Sequence, residues 1–245
     1  MGERNKVIGI ILRGIHLPRF PGKPLAAIGG KSMIQRVYEQ AQQCSSLDTV
    51  IVATDDERIY GHVLAFGGNA MMTASHHQSG TERCAEVMEH TDTEYDVVLN
   101  IQGDEPFIQP QQLDIVIGAF ENASTDIATL ALPLQPASEI ANPNVVKVVF
   151  SNQGKALYFS RNVIPFPRHD GAQYFKHIGL YGYRSSILKT IVALPPGMLE
   201  RTESLEQLRW LENGYTIQVC STDFAAPGVD TPEDLIKAEE FLQKK

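Results

Sequence analysis

The chain has 245 residues, 43% of them hydrophobic, and a formal net charge of -8 at pH 7. This length fits one large or two small domains, with enough apolar residues for a sizeable core. The negative charge argues against a nucleic-acid binder, and no apolar stretch approaches the roughly 18 residues that a membrane span requires. Its 3 cysteines lack metal-site or disulfide spacing, so we expect reduced thiols in a cytoplasmic protein.

Apolar runs alternate with segments of helical spacing through the first half of the chain. We predict strands at 7–12, 49–53, 70–73 and 96–101, and helices at 32–43, 56–66, 81–90 and 111–122. Strands that alternate with helices of about 10 to 15 residues indicate parallel βαβ units. The pattern therefore predicts an α/β protein with a mostly parallel sheet.

The second half of the chain is richer in strands. We predict strands at 126–132, 145–150, 156–160, 177–183 and 216–221, and helices at 186–194, 204–213 and 232–243. The region of about 126–185 suggests a mixed or antiparallel extension of a single domain that spans residues 1–245. Its Pro, His, Asp and Gly content makes 165–173 the expected mobile loop.

Two aspartates follow predicted secondary-structure boundaries. Asp104 comes after a buried strand, in the sequence Gln-Gly-Asp-Glu-Pro, and Asp230 precedes the last predicted helix. Thr231 and Asp234 have a structural explanation as the cap of that helix, whereas Asp230 has none. Asp104 alone is equally well explained as a turn residue. Together, two carboxylates at the strand ends could hold Mg²⁺ and a substrate phosphate.

A basic loop follows the first predicted strand. Arg19 and Lys23 lie four residues apart in a segment rich in Pro and Gly. Doubly wound folds place phosphate-binding turns at this point, so the loop suits a nucleoside triphosphate. The alternative is an exposed basic turn. The spacing of a P-loop is absent.

The segment Ser79–Arg83 also begins a predicted helix. Ser79 and Glu82 fit a capping box, which is a sufficient explanation, but free N–H groups there could also bind a base or ribose. We assign no role to the adjacent His76 and His77, because a histidine pair in a loop is more often solvated than metal-binding.

A third group of polar residues lies in the strand-rich half. Arg161 ends a predicted strand and could clamp a carboxylate through two hydrogen bonds. Glu203, Glu206 and Gln207 have helical spacing. A solvated helix surface explains Glu203 and Arg209 equally well.

Eight motifs in order give the chain a resemblance to the 3-deoxy-manno-octulosonate (Kdo) cytidylyltransferases, the CMP-Kdo synthetase family. Each motif alone is weak, but together they extend over nearly the whole chain. They are Phe20–Leu25, Ala53–Asp56, Ser79–Arg83, Asn100–Pro106, Ala156–Arg161, Lys176–Tyr181, Glu206–Arg209 and Val229–Pro232.

The resemblance implies a three-layer nucleotidyltransferase fold, with the strand-rich extension used for sugar binding and dimerisation. It implies transfer of CMP from CTP to Kdo, with release of pyrophosphate, in a cytoplasmic homodimer that serves lipopolysaccharide synthesis. Asp104 and Asp230 would hold Mg²⁺, and Arg19 and Lys23 would neutralise phosphate oxygens. The remaining residues implied to bind ligands fall into two groups. Those for the nucleotide are Ser79, Gly80, Thr81 and Arg83; those for Kdo are Gln102, Arg161, His177, Tyr181, Glu206 and Gln207.

Two alternatives to this activity stay open from the sequence. The sugar could be 8-amino-Kdo or another sugar acid such as a sialic acid, since the motifs do not define its far end. The chain could also be a weakly active CTP-binding homologue, because residues 12–18 depart from the family pattern.

The departure is confined to the loop before Arg19. The family pattern there is Pro-Ala-Arg-Tyr-x-Ser-Thr, whereas this chain has Leu-Arg-Gly-Ile-His-Leu-Pro. Gly14 stands where the family has arginine, and we expect Arg13 to be out of phase for replacing it. Loss of one preorganised hydrogen-bond donor to the transition state typically lowers the rate by about 10²–10³-fold, so we expect slow turnover.

A compensated frameshift explains all seven differences. The codons CCT GCG CGG TAT TCA TCT ACC encode Pro-Ala-Arg-Tyr-Ser-Ser-Thr, and reading them one base later gives Leu-Arg-Gly-Ile-His-Leu-Pro. Independent substitutions are not expected to produce this agreement. Sequencing the gene over these codons tests the hypothesis, which fails if no compensating single-base changes flank them.

Overall fold

The computed structural model describes residues 4–13, 22–135, 137–224, 228–229 and 231–243. The strands are β1 Val7–Leu12, β2 Ala27–Ile28, β3 Lys31–Ser32, β4 Thr49–Thr54, β5 Ala70–Met72, β6 Val97–Gln102, β7 Ile127–Leu134, β8 Lys147–Phe150, β9 Ala156–Ser160, β10 Tyr174–Arg184 and β11 Ile217–Ser221. The α-helices are α1 Met33–Gln42, α2 Glu57–Ala65, α3 Gly80–His90, α4 Pro110–Gly118, α5 Ala137–Ile140, α6 Ser185–Val192, α7 Met198–Glu203, α8 Gln207–Glu212 and α9 Pro232–Gln243. Short 3-10 helices occupy Lys23–Leu25 and Ala119–Glu121.

The chain forms two compact units. The first comprises residues 1–114 and 225–245, and the second comprises residues 115–224. The boundary falls within α4, and the C-terminal segment with α9 belongs to the first unit.

The first unit is built on a parallel sheet with the strand order β6-β1-β4-β5. All six residues of β1 are buried, because strands of parallel sheets are covered by helices on both faces. The chain proceeds from β1 through β4 to β5, then places β6 on the other side of β1. The strand order therefore reverses at β1, and ligands bind at such points, outside the carboxyl ends of the strands.

The second unit contains a mixed arrangement of strands. β7 pairs in parallel with β11 and antiparallel with β10, and β8 pairs antiparallel with both β10 and β9. Trp210, 1% exposed, packs edge-on against Tyr181 and Tyr183 of β10. The strands predicted in this half are all observed, and the predicted α/β class with a mostly parallel sheet is confirmed.

One predicted helix is wrong at its start. The sequence predicts a continuous helix at 204–213, but α7 ends at Glu203 and α8 begins at Gln207. Ser204 between them has a φ of 53°, in the left-handed region that a continuing α-helix does not allow. The apolar spacing of Leu205 and Leu208 is compatible with both arrangements, which is why the break was not predicted.

Two other sequence predictions are confirmed. The Thr231 hydroxyl accepts from the Asp234 N–H at 3.3 Å, and the Asp234 carboxylate accepts from the Thr231 N–H at 3.1 Å, as a capping box requires. The cysteines are free thiols, with Cys44 and Cys84 buried. Among the described residues, every helix is too short or too polar to traverse a lipid bilayer.

Candidate nucleotide site

A cluster of three charged residues lies at the carboxyl ends of β1 and β6, where the strand order reverses. Asp104 follows β6, and its Oδ2 is 2.8 Å from the Lys23 Nζ and 2.6 Å from the Arg13 Nη2. Lys23 is only 2% exposed and Arg13 only 9%. A single carboxylate oxygen therefore binds two buried cations.

The two cations determine the ionisation of Asp104. Burial by itself would raise the pKa of this carboxyl, but the charges of Arg13 and Lys23 and the hydrogen bond from Lys23 lower it below its ordinary value. Asp104 is therefore ionised at neutral pH. An ionised carboxylate at a strand end is the kind of hard oxygen donor that Mg²⁺ binds in proteins.

The structure places some of the predicted site residues next to Asp104 and does not describe others. It brings Lys23 to Asp104, as the predicted phosphate site requires. It also brings Arg13, whose side chain extends from the residue after β1 to Asp104 at the end of β6. The expectation that Arg13 is out of phase for replacing the family's arginine on a phosphate stays a prediction. The predicted site residues Arg19 and Asp230, and the altered positions from 14 to 18, lie outside the described residues.

The segment before Asp230 contacts the same strand end. The backbone N–H of Val229, the residue directly before Asp230 in sequence, donates to the Asp104 carbonyl at 3.4 Å. Val229 is 1% exposed and belongs to an apolar cluster with Ile28, Met33 and Phe107. Among the described residues, no group of three or more His, Cys, Asp or Glu side chains is arranged to hold a metal ion.

A cavity of about 440 Å³ opens beside this cluster, and its lining includes Arg13, Asp55, Ser79, Gly80, Arg83 and Gln102. The lining joins the ends of β1, β4 and β6 to the N-terminus of α3. Four of the residues predicted to bind nucleotide or sugar therefore line one cavity: Ser79, Gly80, Arg83 and Gln102. The volume is in the range of small-ligand sites.

The N-terminus of α3 has the cap that the sequence predicts, with one difference. The Ser79 hydroxyl accepts from the Glu82 N–H at 3.2 Å. The Glu82 carboxylate, however, accepts from the N–H of Gln78 at 2.7 Å. At Gly80, an added Cβ would lie 2.5 Å from the Leu12 side chain, so a larger residue there would require Leu12 to move. Thr81 is buried in the first turn of α3, 1% exposed.

Buried polar contacts support the wall of the cavity. Arg83 donates to the Thr73 hydroxyl and lies 3.7 Å from the Asp55 carboxylate. His77, to which the sequence assigned no role, pairs through Nε2 with the Glu86 carboxylate. The sequence feature that could have predicted this pair is Glu86, which lies nine residues after His77 in α3. His77 is thus fixed in the cavity lining rather than solvated.

The residues predicted to bind the sugar divide between the units. Gln102 belongs to the first unit, and its side-chain amide donates to Asn100 at 2.9 Å. His177 and Tyr181 of β10 belong to the second unit, with ring centroids 5.3 Å apart. Desolvation lowers the pKa of His177 to about 3, so its imidazole is neutral at physiological pH. Burial likewise raises the pKa of the Tyr181 phenol well above its ordinary value.

Arg161 has internal partners in the second unit. Its guanidinium donates to the backbone carbonyls of Glu203, Pro143 and Ser204, at 2.7, 3.2 and 3.3 Å. The Glu203 carboxylate accepts in turn from the Arg161 N–H at 2.9 Å and from Ser160. Glu203 is therefore not merely a solvated surface residue, and the contact of Arg161 with a sugar carboxylate stays a prediction.

Gln207 and Arg209 lie in α8, directly after Glu206. Gln207 is 5% exposed, and Glu206 is half-buried. Arg209, which the sequence left open as a surface residue, is buried and bound to Glu200 through two hydrogen bonds of 2.7 and 2.6 Å. The solvated alternative is wrong for Arg209, because its partner lies in α7, which the sequence analysis did not predict.

The parallel sheet, the strand-order reversal and the charged cavity define the class of a nucleotide-binding α/β protein. Comparison with known proteins gives the family. The model of the cytidylyltransferase family matches residues 9–217. The 3-deoxy-manno-octulosonate cytidylyltransferase of Bacteroides thetaiotaomicron is 52% identical over 98% of this chain and 99% of its own length. That of Syntrophotalea carbinolica is 50% identical over 92% of this chain and 94% of its own length.

Two solved structures are similar to this chain, one in sequence and fold and the other in fold alone. A CMP:2-keto-3-deoxy-manno-octonic acid synthetase complexed with CTP matches with a TM-score of 0.93 and 43% identity, over 98% of this chain and 99% of that chain. A 4-diphosphocytidyl-2C-methyl-D-erythritol synthase from Anaerococcus prevotii, 14% identical with a TM-score of 0.66, shares the fold. The chain belongs to the cytidylyltransferase family, among the 3-deoxy-manno-octulosonate cytidylyltransferases.

Proposed function

We propose that this protein transfers CMP from CTP to the anomeric hydroxyl of Kdo, giving CMP-Kdo and pyrophosphate for lipopolysaccharide synthesis. The relatives named for this activity are similar over nearly the whole chain. The observation that carries the proposal is the pairing of Asp104 with Lys23 at the strand-order reversal, beside a cavity of about 440 Å³. That arrangement offers cations for a triphosphate and a carboxylate for a divalent ion.

The residues of this chain act mainly by positioning and by neutralising charge, as is usual in phosphoryl transfer. Lys23 and Arg19 bind phosphate oxygens, which spreads the charge that develops as the sugar hydroxyl attacks the α-phosphorus and pyrophosphate leaves. Ser79, Gly80, Thr81 and Arg83 bind the nucleoside. The proposed Kdo ligands are Gln102, Arg161, His177, Tyr181, Glu206 and Gln207.

Asp104 and Asp230 are the proposed ligands of Mg²⁺. Asp104 fits this role because its pKa is lowered and it lies at the strand-order reversal. The hydrogen bond from Val229 to Asp104 supports a contribution from the neighbouring position 230. One or two carboxylates plus substrate phosphates are the usual ligands of Mg²⁺ in such enzymes, and the ion supplies charge neutralisation on the phosphates.

Release of pyrophosphate is the experiment that tests the activity. We expect release that requires CTP, Kdo and Mg²⁺ together, and CMP-Kdo as the second product by mass spectrometry. UTP in place of CTP is the matched nucleotide control, and 8-amino-Kdo and a sialic acid are the matched sugars. A faster reaction with either other sugar would overturn the assignment of Kdo, and absence of release with every sugar would overturn the activity.

We also propose a cytoplasmic homodimer whose contacts come from the strand-rich region of about 126–185. Phe166 in this region is 82% exposed, and Leu157 is 63% exposed, which supports an interface because large apolar side chains at a surface are commonly covered by a partner. Light scattering of the purified protein tests the dimer. A monomer mass at micromolar concentration would contradict it.

A further inference from the structure

Arg13 lies directly after the end of β1. Its backbone N–H donates to the Ala53 carbonyl at 3.1 Å, which continues the sheet pairing by one residue. Its side chain is 9% exposed and reaches the Asp104 Oδ2 with Nη2. Within the described parts of the chain, its buried Nε has no hydrogen-bond partner, and Nη2 is close to the Asp104 Oδ2 as an ion pair without the alignment of a hydrogen bond. The guanidinium therefore retains donor capacity beside the cavity.

Two cations lie together at this point. The side chains of Arg13 and Lys23 both contact the Asp104 Oδ2, and both are largely buried. Guanidinium and ammonium groups are the side-chain groups that form charge-assisted hydrogen bonds with phosphate oxygens. The cavity that Arg13 lines gives a polyanion access to them.

Gly103 allows the guanidinium to take this path. A Cβ at position 103 would lie 3.3 Å from the Arg13 Cδ and 2.9 Å from the Leu12 carbonyl. A side chain at position 103 would therefore press on the Leu12 backbone and on the Arg13 side chain, and glycine avoids both contacts.

We propose that Arg13 is a triphosphate-binding residue of this chain, which rests on Asp104 in the free protein and binds a phosphate oxygen when CTP enters. The inference rests on the proposed function. It also goes beyond the resemblance, in which position 13 is alanine and the arginine is at position 14. Arg13 would compensate for Gly14, and turnover would then be less impaired than the altered loop alone implies.

Binding of CTP tests this role. We expect Arg13→Ala to weaken CTP binding by about 10-fold to 10²-fold in calorimetry, because a charge-assisted hydrogen bond to phosphate is lost. Arg13→Lys keeps the charge and should retain part of the affinity. Arg4→Ala is the matched control, since Arg4 also pairs with an aspartate, Asp48 at 2.5 Å, but is 59% exposed. Equal CTP affinity of the wild type and Arg13→Ala would overturn the proposal.

A measurement without nucleotide separates this role from a structural one. Arg13 already occupies the Asp104 oxygen proposed for a divalent ion. We therefore expect Arg13→Ala to bind Mn²⁺ several-fold more tightly in electron paramagnetic resonance, while it binds CTP more weakly. Damage to the site would weaken both. If Arg13→Ala binds Mn²⁺ more weakly and its melting temperature is unchanged, the proposal that Arg13 pairs with Asp104 in the nucleotide-free protein is contradicted.

A compensating variant completes the test. In the Arg13→Ala background, we expect Gly14→Arg with Leu17→Ser and Pro18→Thr to recover the lost CTP affinity, because the guanidinium is restored one position further on. No recovery would contradict the compensation. The two proposals fail in different ways: a wild type without pyrophosphate release refutes the activity, whereas an active wild type whose CTP affinity is unchanged in Arg13→Ala refutes only the role of Arg13.

Discussion

Asp104→Asn is expected to lower the rate of pyrophosphate release by at least about 10²-fold at saturating CTP. Asparagine keeps the size of the side chain but removes the negative charge that binds Lys23 and Arg13. It also removes a hard anionic ligand for the proposed Mg²⁺. The rate should be measured over a Mg²⁺ titration, in which the variant requires more Mg²⁺ for its half-maximal rate.

Asp96→Asn is the matched control for this variant. Asp96 directly precedes β6 at the opposite end of the strand, and its carboxylate accepts from the Lys6 N–H at 2.7 Å. It therefore tests the loss of an aspartate beside the same strand without a change at the cavity. We expect its rate to stay within about two-fold of the wild type, since the lost contact is exposed. A wild-type rate for Asp104→Asn at every Mg²⁺ concentration would remove Asp104 from the reaction.

Arg209→Met is expected to lower the free energy of unfolding by about 3–5 kcal/mol, because it leaves the Glu200 carboxylate buried without its cation. The side chains of Arg209 and Glu200 are 9% and 13% exposed. Arg209 also donates to the Leu194 carbonyl at 3.0 Å, so the variant leaves a second acceptor without its donor. Denaturant unfolding measures the loss.

A double variant and a surface variant control this result. Arg209→Met with Glu200→Leu should recover part of the loss, because apolar residues of similar volume often replace a buried ion pair without cost. Arg201→Met removes an exposed arginine of α7 and should change stability by less than about 1 kcal/mol. If Arg209→Met is as stable as Arg201→Met, the buried pair does not stabilise the second unit.

The parts of the fold that the sequence predicted depend on local patterns. β1, β4 and β6 are apolar runs because a parallel sheet buries both faces of its strands, and that property is visible in any short window. The caps at Ser79 and Thr231 were equally visible, because a cap joins residues three apart.

Two contacts at the site join parts of the chain that no short window contains, and a third contact depends on a helix that was not predicted. Lys23 and Asp104 are 81 residues apart, so the motifs could imply that pair only through the resemblance. Nothing in the pattern placed Arg13 on the same oxygen. Arg209 looked like a surface residue because its partner lies in a helix that the apolar spacing did not reveal. At the site the deciding contacts are ion pairs between distant segments, whereas Arg209 and Glu200 are nine residues apart and their pair was missed because α7 was not predicted.

The sequence by itself determined the α/β class, the positions of most strands and helices, and the family, because hydrophobic periodicity and ordered motifs are properties of the chain. Only the tertiary structure decided which charges meet at the strand-order reversal. Burial removes most of the water from Lys23 and Arg13 and strengthens their pairing with the half-buried Asp104, and burial is a property of the packed fold. Asp104 was foreseeable as a strand-end carboxylate; its second buried cation was not.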